Sequence, residues 1–142
     1  MVAGLGIAFL CTPLLVVEGS ERRWVAVWLP GWSVWLEFVH SVERTPVRER
    51  LAASWGGKLV LRETRYLSYG AGLPSEGALQ EGWLVAEDRR TALPELVLRV
   101  SREVSPVLVA GRTRLELTAF AGEGGRVRLR LLRPWQLLGP VR

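Results

Sequence analysis

Several residue types are nearly missing. The 142-residue chain holds one Cys (Cys11), one His (His40), one Asp (Asp88), one Lys (Lys58) and no Asn. A lone Cys excludes a disulfide framework and a zinc ribbon. A lone His excludes any site that needs two imidazoles. One Asp and no Asn exclude a calcium loop of the EF-hand type. The Walker A, GxGxxG, HExxH and GxSxG patterns do not occur. These gaps remove the common signatures of enzyme chemistry, and neither a metal nor a cofactor is expected.

What remains suits one globular domain. Hydrophobic residues make up 49% of the chain and charged residues 23%, enough to bury a core. The formal net charge is +5, from 19 basic and 14 acidic residues. Almost all of the positive charge is Arg. An Arg-, Leu-, Gly- and Trp-rich chain with a single Lys and no Asn has the look of a GC-rich genome's codon usage. The basicity is therefore a generic footprint, and no nucleic-acid partner is expected.

Residues 2–17, VAGLGIAFLCTPLLVV, carry no charge, and the run stops at Glu18-Gly19-Ser20-Glu21-Arg22-Arg23. A bilayer span needs about 20 apolar residues, so this run is short for one. It suits the hydrophobic region of a signal peptide or a single anchor over residues 1–19, with Gly19 and Ser20 as small residues near a cleavage zone. The competing reading is a buried first strand or helix of a cytosolic domain. Phe9 and Leu10 before Cys11 argue against lipoprotein processing. Export would place residues 20–142 in the periplasm or at the outer face of the cytoplasmic membrane, with the membrane surface within reach.

Beyond Ser20 the dominant period is two, the mark of half-buried strands. Strands are expected over 23–29, 33–40, 46–53, 58–68, 82–86 and 95–100. Residues 112–119 and 126–132 are expected to form a hairpin across Gly122-Glu123-Gly124-Gly125. Pro30, Pro46, Pro74, Pro94, Pro106 and Pro134 fall between segments. The expected fold is all-β: a single-domain antiparallel β-sandwich or barrel of about eight short strands, preceded by the N-terminal hydrophobic segment.

The most informative stretch is Phe38–Glu49, FVHSVERTPVRE. Alternation puts His40 on the Val34/Leu36/Phe38 face and Glu49 on the Val47/Leu51 face. If residues 41–46 close a hairpin, the two are diagonal neighbours, roughly 7 Å apart. A carboxylate on an apolar face needs a partner, and His40 or Arg65 is the candidate. Such a cluster either pins the hairpin or forms a ligand site. Ser41 points to the opposite face from His40, so the two do not make a nucleophile–base dyad. A metal at His40 and Glu49 would still lack a third ligand unless Glu43 or Glu63 joined. A second candidate is the strand end Arg65–Ser68 running into Tyr69-Gly70-Ala71-Gly72-Leu73-Pro74. Its turn either serves the chain path alone or exposes N–H groups as an anion nest, with Arg65 and Tyr69 adding a guanidinium and a hydroxyl. Seven Trp are many for this length. They serve the core and sheet edges or a partner surface, and Trp35, facing away from Val34 and Leu36, is the best exposed candidate.

These residues resemble the bacterial domain of unknown function 1850 family. The matching segments are His40-Ser41-Val42, Thr45-Pro46-Val47 with Glu49, and Glu63-Thr64-Arg65-Tyr66 leading to Tyr69-Gly70-Ala71-Gly72-Leu73-Pro74. Tyr69 stands where the family usually carries Phe. The resemblance implies a small protein, often with an export signal or anchor, encoded beside TAXI-type tripartite (TRAP) transporters. It brings no established activity. The expectation is thus a non-enzymatic exported accessory protein of such a transporter. Its partner would be the permease, the substrate-binding protein or a small anionic solute. Two alternatives stand beside it: a stand-alone module binding a small anion through His40, Glu49, Arg65 and the 70–74 turn, and a hydrolase with His40 as general base and Glu49 as its orienter.

Overall fold

A computed structural model describes residues 12–138 except 55, 71–72 and 88–90. Cys11 and Gly72 therefore lie outside the described residues. Among the described residues, twelve strands form two antiparallel sheets that pack as a sandwich. The smaller sheet has the order β2 (Arg23–Val27), β1 (Leu14–Glu18), β12 (Arg126–Leu132), β9 (Leu96–Arg99). The larger sheet runs β11 (Thr113–Glu116), β10 (Val107–Ala110), β3 (Ser33–Val39), β4 (Pro46–Ala53), β5 (Leu59–Tyr66), β7 (Trp83–Glu87), β6 (Ala78–Gln80). Its eighth strand, β8 (Ala92–Leu93), pairs with the start of β5. The count exceeds the eight expected by four: β1, whose apolar run suits a leader, and β6, β8 and β10, short pieces with weak alternation of their own.

The core follows from alternation on the facing sheets. Leu15 and Val17 of β1 and Val127, Leu129 and Leu131 of β12 pack against Val34, Leu36, Leu51, Leu59 and Leu108 of the larger sheet. Each is nearly or fully enclosed. A short helix, α1 (Thr118–Ala121), drops Phe120 into the same cluster.

Two expectations change here. Leu14–Glu18, assigned to a leader over 1–19, is an inner strand of the smaller sheet, hydrogen-bonded to β2 on one side and β12 on the other. Leu15, Val16 and Val17 are all 0% exposed. A strand covered on both faces reads as an unbroken apolar run, the same pattern as a leader's hydrophobic region. A leader that leaves this domain intact has to end before Leu14. Among the described residues no helix is long and apolar enough to cross a membrane.

The expected hairpin of 112–119 with 126–132 is not formed. β11 instead pairs back onto β10 around Gly111-Arg112, where Gly111 has φ +62°. β12 crosses to the other sheet and pairs with β1 and β9. The chain leaves strand geometry at Leu117 because α1 turns Phe120 inward, so the Gly-rich stretch 122–125 connects a helix to a strand.

Candidate functional site

β3 and β4 pair in a register that sets the geometry of the His40 turn. Phe38 lies opposite Val47 and Leu36 opposite Glu49. The ladder continues one step further, with the His40 N–H donating to the Thr45 carbonyl at 2.9 Å. The loop is therefore Ser41–Arg44, two residues shorter than the expected 41–46 closure. The Arg44 N–H donates to the His40 carbonyl at 2.9 Å, and Arg44 takes the left-handed φ of +56°. The imidazole completes the turn: its Nδ1 accepts the Glu43 N–H at 3.1 Å. His40 is 9% exposed.

The glycine-rich loop after β5 closes over this turn. A Cβ on Gly70 would come within 3.3 Å of His40 Cε1 and 2.7 Å of Glu43 Cγ, so glycine lets the loop backbone lie directly against these two side chains. Thr45 and Ser68 hydroxyls meet at 3.5 Å. Tyr66 is fully enclosed and its hydroxyl donates to the Pro74 carbonyl at 2.9 Å. Tyr69 packs edge-on against it, centroids 5.8 Å apart. Burial raises the Tyr66 phenol above its usual range, and neighbouring Tyr69 adds to the shift. The two motifs singled out from the sequence, His40-Ser41-Val42 and the 69–74 turn, are thus one structural knot. Ser41 is exposed at its surface.

Glu49 and Arg65 do not join it. Glu49 shares the inner face with His40, as alternation requires, but stands opposite Leu36. Four residues along a strand separate the two positions by roughly 13 Å, out of hydrogen-bond reach. Glu49 sits between Leu36 and Thr64, and burial pushes its carboxyl above the usual range. Arg65 pairs with Arg48 in the ladder and points to the outer face. There it makes a close ion pair with Glu63 and stacks over Trp35 at 5.1 Å. Among the described residues no three His, Cys, Asp or Glu side chains gather as a metal site.

That outer face is the second organised feature. Trp35, Glu37, Arg48, Arg50, Glu63, Arg65 and Trp83 occupy adjacent positions on it. Glu37 receives Arg48 at 3.3 Å and Arg114 at 2.9 Å. Glu63 receives Arg50 at 3.1 Å as well as Arg65. Arg48 stacks over Trp83 at 5.2 Å, mirroring Arg65 over Trp35. Sequence reasoning singled out Trp35 and Arg65 but missed that Glu63, two residues from Arg65, must share its face.

All of these elements lie inside one family match. The model for Domain of unknown function (DUF1850) covers residues 34–117, more than half of the chain. The chain belongs to the DUF1850 family. The matched residues contain both the His40 knot and the outer Arg–Trp face: they take in nearly all of the larger sheet, together with β9 of the smaller one. No curated protein and no solved structure matches the chain.

Proposed function

We propose that this DUF1850 protein is a non-enzymatic exported accessory protein of a TRAP-type (TAXI) solute transporter, its β-sandwich serving as a docking module for the permease or substrate-binding protein. The observation that carries this reading is the outer face of the larger sheet. Two half-buried Trp rings are each covered by an Arg whose charge is met by a neighbouring Glu. Trp and Arg are the residue types that anchor protein interfaces, and here the ladder holds them rigid before any partner arrives. The apolar residues ahead of Leu14 supply the export signal or anchor in this reading. His40 supports a non-catalytic role, since its Nδ1 caps a turn and its ring edge packs on Gly70.

The test is co-purification from native membranes in mild detergent. The chain should bring down a TAXI-type permease or its binding protein. The Trp35→Ala/Trp83→Ala double variant should lose about tenfold of that yield while keeping its circular dichroism spectrum. Recovery of the wild-type chain in the cytosol with no transporter component attached would reject the proposal.

A further inference from the structure

A groove of about 650 Å³ opens at the end of β4 farthest from His40, between the start of β3 and the segment after β12. Among the described residues it is lined by Arg50, Arg62 and Arg133 and by no acidic residue. Its apolar walls are Trp28, Trp32 and Pro13.

The position of Arg62 is produced by an irregularity in the sheet. Arg50 lies opposite Glu63, but the next residue, Leu51, lies opposite Leu61. Arg62 is therefore the extra residue of a β-bulge. Strict alternation would turn Arg62 to the inner face with Thr64. The bulge brings it beside Glu63 instead, facing Arg50, in the way bulges re-aim a single side chain. Neither Arg62 nor Arg133 has an ion pair among the described residues. Arg50 gives one Nη to Glu63, but that carboxylate is shared with Arg65, and the Arg50 Nε is buried without a hydrogen-bond partner. Among the described residues, three guanidinium groups thus face one groove with half a carboxylate between them. Like charges so placed repel, and an anion among them removes the penalty.

The wall opposite is stiff and flat. Trp32 meets Trp28 edge to face, centroids 5.3 Å apart, and Trp28 is 3% exposed, so Trp32 is fixed on a buried ring. A groove of this size falls among small-molecule sites, which run about 300–1,000 Å³. We propose that this groove binds a small organic carboxylate with a flat apolar body, the carboxylate held by Arg62 and Arg133 with Arg50 beside them and the body laid against Trp32. Guanidinium groups match a carboxylate as paired donors, whereas a solvated inorganic anion leaves the Trp wall unused. The proposal does not rest on the transporter reading, because Trp28, Trp32 and Arg133 lie outside the matched residues 34–117.

Three probes separate the parts of the claim: benzoate, acetate and benzamide, titrated calorimetrically into the full chain at about 150 mM salt. Benzoate should bind saturably. Acetate, lacking the body, and benzamide, lacking the charge, should each bind more weakly by about tenfold or more. Arg62→Ala and Arg133→Ala should each weaken benzoate by about tenfold with an unchanged circular dichroism spectrum, and Arg62→Lys by less, because Lys keeps the charge but not the fork. If Arg133→Ala does not fold, Trp32→Leu takes its place and should weaken benzoate while sparing acetate. Absence of benzoate binding, equal binding of benzamide or of acetate, or an Arg62→Ala variant that binds benzoate as well as wild type overturns the proposal.

Discussion

The two ends of β4 are built on opposite principles. At its Pro46 end, polar groups are consumed by the fold: the His40 ring caps a turn, Gly70 seals it, and the Tyr66 hydroxyl ties down the Pro74 carbonyl. At its Ala53 end, Arg50, Arg62 and Arg133 face a groove with their charge largely unmatched among the described residues. The contrast separates residues that make the shape from residues left over by it. The conspicuous motif of the sequence, the His-Ser-Val turn with its Gly-Pro loop, belongs to the first kind. Spare recognition chemistry sits at the other end, on residues no motif marks.

The comparison breaks first at the closed end. Tyr66→Ala removes a fully enclosed ring and should cost about 3–5 kcal/mol, enough to unfold a marginal domain. A chemical-denaturation midpoint close to wild type would show that the loop over Tyr66 contributes little to stability. His40→Ala should cost less, about 1–3 kcal/mol, from a lost turn hydrogen bond and lost packing. His40→Asn should recover part of that, since an Asn carbonyl can accept the Glu43 N–H as in an Asx turn. If Ala and Asn are equally damaging, the ring's packing on Gly70 outweighs its acceptor.

Much of the architecture was legible from alternation, and the failures have physical reasons. β4 has the expected bounds, and β2, β3, β5, β7 and β9 lie within about two residues of expectation, because half-buried strands write a period of two. For Leu14–Glu18 the sequence leaves leader and buried first strand both open, because a strand enclosed on both faces carries no alternation at all. The 112–132 hairpin failed because alternation tells which face a residue takes and not which strand it meets. Faces for His40 and Glu49 were right for the same reason, yet their separation was wrong. That distance depends on loop length, and the loop closes at Arg44, a non-glycine in the left-handed region that no turn signal announces. Arg62 was invisible as a groove residue because a bulge reverses the parity on which the reading depends.

Between the two ends sits Glu49, a carboxyl that burial holds above its usual range. The folded state therefore keeps its proton more tightly than the unfolded chain does. Glu49's contribution to stability is fully present below the unfolded value near 4.5 and is lost as pH rises through the folded value. Glu49→Gln, neutral at every pH, should thus melt above wild type at pH 7 and converge with it as pH falls below 4.5. A difference between the two that is constant with pH would mean the carboxylate is not desolvated.

The smallest effect is expected at the open end, and its smallness is the point. Arg62 has no ion pair among the described residues, so Arg62→Ala breaks none of the ion pairs those residues form. Its cost should lie within about 0.5 kcal/mol, a melting shift under about 2 °C. Relief of repulsion with Arg50 and Arg133 works in the stabilising direction, more so at low salt, where like charges are screened least. A loss above about 1 kcal/mol would assign Arg62 a structural job like that of His40 and erase the difference between the two ends. A neutral Arg62→Ala that nonetheless loses benzoate would sharpen that difference, because stability and recognition would then be carried by separate residues at opposite ends of one strand.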